Sequence, residues 1–153
     1  MKNLLFKTTF LLFVFFSHLS FAKISIEKNK DLSRSERKHA EDACNRTASF
    51  YNWYLTYLHK NNEPAANSAV YEQYLSAKMR SEIFQNEKEI DLIFCKKDID
   101  KKCNIFIKPI SYAKDKVELL LRIEGKYNYS VKLSMIIQKQ NWVIDSVSLF
   151  ENL

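Results

Sequence analysis

Apolar positions between residues 40 and 58 recur at intervals of three and four: Ala40, Ala43, Cys44, Thr47, Phe50, Tyr51, Tyr54, Leu55 and Leu58. That spacing lines one face of an α-helix. Ser33 followed three residues later by Glu36 forms a reciprocal cap for the first orphan backbone donors, and Asn61-Asn62 with Pro64 ends the run. The pattern therefore predicts one long helix over about 34–60. Within it, "FYNWYLTYL" (50–58) packs five aromatic rings into nine residues. Stepping ~100° per residue, these rings and leucines sweep an arc of ~200°, about twice the stripe of a helix lying on a surface. Such a helix needs a curved surface around it, or two elements to pin it. A second, narrower stripe of Tyr71, Leu75, Met79 and Ile83, with Tyr74 at its edge, predicts another helix over about 69–86.

Beyond residue 104 the period changes to two. "NIFIKPISYA" reads as a strand that Pro109 confines to an edge or a bulge. "KVELLLRIE" places Val117, Leu119, Leu121 and Ile123 on one face. "YSVKLSMIIQK" alternates Val131, Leu133, Met135 and Ile137 against polar residues, and "WVIDSVSLF" follows. Gly125 in "EGKY" and the short "KQN" give tight connections, so the strands form an antiparallel meander. Helices followed by consecutive strands predict an α+β fold: two N-terminal helices packed on a curved antiparallel sheet of about four strands. The aromatic run is then mostly core. "KEIDLIFC" between the two halves reads either as a helical turn or as a buried extended piece.

The first 22 residues change what the mature chain contains. Lys2 and Lys7, an apolar run from Phe10 to Phe16, and Ser20-Phe21-Ala22 have the layout of a cleavable export signal. The apolar run is shorter than the ~20 residues that span a bilayer. The expected organisation is a signal peptide over 1–22, a flexible arm or short edge strand over 23–32, and a single domain over 33–153. The expected address is the periplasm, with no membrane span after cleavage. Loss of Lys2 and Lys7 lowers Lys+Arg from 24 to 22 against 18 acids, and the net charge from +6 to +4. The lysines are scattered, which does not match a nucleic-acid-binding pattern. Export implies an oxidising compartment, and Cys95 and Cys103 frame the short loop "CKKDIDKKC". A bridge between them is expected, stabilising by ~2–3 kcal/mol, with Cys44 left as a buried thiol or as an alternative partner.

The phrases "FYNWYL", "YLSAKMRSEI", "DLIFCKKD" and "WVIDSV", in that order from Phe50 to Val147, resemble the exported bacterial proteins grouped as domain-of-unknown-function family 3828. That resemblance implies a cystatin-like or nuclear-transport-factor-two-like α+β fold and a periplasmic or lipid-anchored address. The chain departs from anchored members in lacking a lipobox Cys directly at the leader cleavage site, where Lys23 follows Ala22. The family carries no agreed catalytic residues, so the resemblance transfers none.

Candidate chemistry is sparse. One glycine, Gly125, excludes a glycine-rich phosphate loop. No C-x-x-C occurs, and neither a metal nor another cofactor is expected. His59 falls on the polar side of the first helix, His39 well before the rings, and Asp145 opposite Ile144. Asp91 reads as a cap and Asp98 as a turn-former. No catalytic residue is assigned, and the chain is not expected to be an enzyme. Trp53, Tyr57 and Tyr74 are candidate partner-binding rings. Lys96, Lys97, Lys101 and Lys102 make the "CKKDIDKKC" loop a candidate dock for an acidic protein partner. The expected function is an exported binding protein, one version being an immunity or inhibitor protein against a delivered toxin. A small-ligand carrier with a Tyr-lined helix–sheet cavity is the alternative, followed by a small hydrolase or isomerase with an inward Asp or His.

Overall fold

A computed structural model describes residues 22–61, 69–86 and 90–150. The expected export signal, apart from Ala22, and the helix-ending Asn62 and Pro64 lie outside the described residues. Helix α1 (Arg34–Asn61) starts at the expected cap: the Ser33 amide donates to Glu36 Oε2 at 2.7 Å and the Glu36 amide to Ser33 Oγ at 3.3 Å. Its nine buried residues are the nine that the spacing singles out. Trp53 and Tyr57 are half-buried beside them, as the wide arc demands.

The second helical stretch is two helices, α2 (Ala69–Tyr74) and α3 (Ala77–Phe84), where the apolar spacing predicts one. Ser76 causes the break. It adopts an extended conformation, its hydroxyl accepts from the Met79 amide at 3.0 Å, and its own amide donates to Ile144 O at 2.9 Å. A serine serves better as an N-cap than inside a helix. Here the sheet edge supplies the acceptor that an uninterrupted helix would not use.

The sheet has five strands in the order β1-β2-β3-β4-β5: β1 (Ile24–Ile26), β2 (Asn104–Ala113), β3 (Lys116–Glu124), β4 (Tyr129–Gln138) and β5 (Asn141–Leu149). The last four form the expected meander. Residues 24–26 form an edge strand parallel to β2 rather than a loose arm. That pairing stops where Pro109 can no longer donate; there Asn29, itself buried, donates its side-chain amide to Pro109 O at 2.9 Å. The bulge expected at the proline lies between Pro109 and Ser111. Lys139 and Gln140 both take positive φ (50° and 66°), the backbone of a primed two-residue hairpin turn.

Ile105, Ile107, Val117, Leu119, Leu121, Ile123, Val131, Leu133, Met135 and Ile144 all face α1. Ile137, expected on the same face, lies near the hairpin end and is 43% exposed. The opposite face of the sheet is laced with ion pairs. Lys116 and Lys132 meet Glu118 at 3.6 and 3.0 Å, and Arg122 meets Glu124 and Glu27 at 2.8 and 3.2 Å.

Arg46 ties the two helical layers to the sheet. Its Nε donates to Trp142 O at 3.2 Å, its guanidinium also donates to Gln73 O, and it lies 4.3 Å from the Tyr74 ring centre. Replacing it by methionine keeps most of the stem and orphans both carbonyls. Arg46→Met is expected to lower stability by about 1–2 kcal/mol in urea unfolding, with an unchanged helix signal in circular dichroism.

Candidate functional site

"DLIFCK" folds into a closed loop held at both ends. The Asp91 amide donates to Lys96 O at 2.9 Å and the Lys96 amide to Asp91 O at 3.3 Å, with Cys95 at φ 52° between them. Asp91 Oδ1 accepts from the Ile93 and Phe94 amides at 2.8 and 2.9 Å, the capping role expected for it. These bonds turn Ile93 and Phe94 into the core. Two tyrosines of α1 then latch the loop: Tyr51 donates to Ile93 O at 2.8 Å, and Tyr54 donates to Asp91 Oδ2. Phe94 packs edge-on to Tyr51 and stacks on Tyr54.

Burial dominates the electrostatics here. It holds the Asp91 carboxyl above the usual aspartate range, although the hydrogen bonds from Tyr54, Phe94 and Ile93 pull the other way. Burial pushes the Tyr54 and Tyr51 phenols well above their normal range, and raises Tyr71 to about 12. All three hydroxyls stay protonated at physiological pH.

Over Tyr54, Tyr71 and Asp91 opens a cleft of about 510 Å³. Leu58, Ile83, Ile90, Leu92 and Ile99 contribute apolar walls, and Asn86, Lys97, Asp98 and Lys101 also line it. A second cleft of about 430 Å³ shares Asp98, Ile99 and Lys101 with it and adds His59, Asp100, Lys102, Lys126 and Tyr127. Asp100 fastens this side of the loop to the β3–β4 turn. Its Oδ1 accepts from the Lys102 amide at 3.0 Å and its Oδ2 from the Lys126 amide at 2.6 Å. Gly125 permits that approach, since a Cβ there would lie 2.2 Å from Asp100 Oδ2.

The residues singled out from the sequence separate into two groups. Lys97, Lys101 and Lys102 line the clefts. Lys96 turns away, 5.0 Å from the Tyr129 ring centre, into a shallower recess beside Arg122 and Phe150. Trp53, Tyr57 and Tyr74 lie in the α1–α2 seam. Trp53 packs on Phe50, Tyr54, Tyr57 and Tyr71 at 5.7 to 6.1 Å between ring centres, so it is no free-standing anchor.

The expected Cys95–Cys103 bridge is absent, and all three cysteines are free thiols. Cys103 is buried in the core just before β2, while the Cys95 thiol turns back onto Leu92 O at 3.6 Å within its own loop. Burial raises the thiol pKa to about 12 for Cys44 and about 11 for Cys95 and Cys103. His39 is exposed and stacks on Tyr112, and Asp145 faces outward toward Lys78 at 3.9 Å. Lys126 and Tyr127 belong to the clefts without having been singled out, whereas Tyr54 and Tyr71 were read on the apolar faces of their helices and not among the partner-binding rings. For Tyr54 and Tyr71 the signal was present in the apolar arc, but not the loop that meets it.

No family model matches the chain, and no curated protein matches it in sequence. In fold it is similar to a chain of the type VI native effector–immunity complex Tae3–Tai3 from Ralstonia pickettii. The TM-score is 0.60 at 12% identity, covering 71% of this chain and 94% of that one. The selenomethionine form of the same complex gives 0.57 at 12%, covering 71% and 96%. At that identity the likeness establishes the α+β fold. Among the described residues no helix is long and apolar enough to cross a membrane, and no group of three or more His, Cys, Asp and Glu is placed to hold a metal ion.

Asp91→Ala leaves the Tyr54 hydroxyl and two amides without their acceptor and is expected to cost about 2–3 kcal/mol in urea unfolding. Asp91→Asn keeps an acceptor at Oδ1 and is expected to cost less. The raised carboxyl also sets a pH trend. Its contribution is fully present below the unfolded aspartate pKa of ~3.9 and is lost as pH rises through the higher folded value. Stability followed from pH 4 upward is expected to fall less steeply in Asp91→Asn than in the parent.

Proposed function

We propose that this chain is an exported, non-enzymatic protein that captures a protein partner, and that the partner is an effector of the type VI class, which the chain neutralises. The supporting observation is the lysine-bearing loop. It is held to the core by the Tyr51 and Tyr54 hydroxyls and opens onto two adjoining clefts. A preformed concave surface loses little conformational freedom on binding. Lys97, Lys101, Lys102 and Lys126 on it suit an acidic opposing surface. The similar fold in an effector–immunity complex is the precedent for this class of partner. The export-signal pattern of residues 1–22 supports a periplasmic encounter. The cleft over Tyr54 and Tyr71 is open to solvent, which favours docking over the enclosed cavity of a small-ligand carrier.

The test is to mix residues 23–153 with the type VI effectors encoded in the same genome. Co-elution, calorimetry and survival of cells given the effector in the periplasm are then measured. A stoichiometric complex that weakens with added salt, together with restored survival, is expected. Joint Lys97→Glu, Lys101→Glu and Lys102→Glu substitution is expected to weaken it at least about tenfold. Lys114→Glu with Lys139→Glu, at strand turns outside the clefts, leaves it unchanged. Absence of binding and protection across the whole set refutes the proposal.

A further inference from the structure

Tyr71 is 1% exposed, lines the 510 Å³ cleft, and its hydroxyl has no hydrogen-bond partner. The Tyr54 hydroxyl is the nearest polar neighbour and acts on the Tyr71 hydroxyl's titration as a hydrogen-bonding group does, but its proton goes to Asp91 and the two hydroxyls do not meet in hydrogen-bond geometry. A buried hydroxyl left in this state destabilises the free protein, and such groups are few in native structures. Asp91 gives it no bond either: Oδ1 accepts from Ile93 and Phe94, Oδ2 from Tyr54, and neither oxygen meets the Tyr71 hydroxyl.

We propose that the cleft is a receptor for one uncharged, acceptor-bearing side chain of the partner, a glutamine or asparagine amide, whose carbonyl accepts the Tyr71 proton. The apolar walls from Leu58, Ile83, Ile90, Leu92 and Ile99 hold its methylene stem. The Asp91 carboxylate beneath disfavours a carboxylate at the floor, and acidic residues flanking the amide on the partner face Lys97 and Lys101 at the rim. Because Tyr71 stays protonated, it can only donate to such a carbonyl. This inference rests on the partner-binding reading above and names the chemistry of the same site.

Two measurements on the partner-free protein test it. N-acetyl-glutaminamide is titrated at millimolar concentrations into ¹⁵N-labelled protein. Saturable shifts are expected at the Asn86 and Ile90–Ile99 amides, weaker with N-acetyl-glutamate amide, and lost in Tyr71→Phe. Thermal unfolding of Tyr71→Phe is expected to give a Tm equal to or above the parent, since only an unpartnered group is removed. No shifts with the amide probe, equal shifts in Tyr71→Phe, stronger binding of the carboxylate probe, or a lowered Tm would each overturn the inference. A probe that binds while no effector does rejects the effector reading and leaves the receptor intact. An effector bound equally by parent and Tyr71→Phe, with no probe binding, does the reverse.

Discussion

Tyr51 and Tyr54 carry two hydroxyls into the middle of an apolar core, and a hydroxyl there must find an acceptor or destabilise by roughly 1–3 kcal/mol. The 91–96 loop supplies both acceptors, Ile93 O and Asp91 Oδ2. In return α1 gives the loop a floor of rings for Phe94. Neither part is satisfied without the other. This mutual requirement fixes the 91–96 loop against the sheet-wrapped helix, next to the stretch whose lysines line the clefts.

The two faces of the molecule use charge in opposite ways. On the solvent face of the sheet, cations and anions pair across neighbouring strands. The Glu118 carboxyl is held below its usual range chiefly by the hydrogen bond from Lys132. Such a face is internally matched and offers a partner little unbalanced charge. On the loop face, Asp91 and Asp100 turn their oxygens to backbone amides and hold the chain in shape, while Lys97, Lys101, Lys102 and Lys126 line the clefts. Asp91 and Asp100 there act as scaffold, while Asp98 lines both clefts beside the lysines.

Periodicity made α1, β2, β3 and β4 legible almost residue by residue, because each buries a single face, whereas β5 buries Trp142, Val143 and Ile144 in succession beside a register shift. It missed what depends on contacts distant in sequence. The break at Ser76 needs Ile144 O, and the pairing of residues 24–26 needs β2; neither acceptor is visible locally. Asp91 was readable as a cap, but its second oxygen, which accepts from Tyr54, was not. The Cys95–Cys103 spacing suggested a bridge, whereas Cys103 is buried ahead of β2 and the Cys95 thiol turns back onto Leu92 O, with both thiols free. For the same reason the clefts were only half foreseen. Lys97, Lys101 and Lys102 lie in one stretch of sequence, while Lys126 comes from the β3–β4 turn and the tyrosine floor from two helices.

The claim that the loop and helix form one unit is tested most directly by native-state hydrogen exchange at the Ile93 and Phe94 amides. In the parent these amides are expected to exchange only through global unfolding, with protection matching that of the central strand β3. In Tyr54→Phe they are expected to exchange through a local opening of lower free energy. Rapid exchange of both amides in the parent protein would contradict the account.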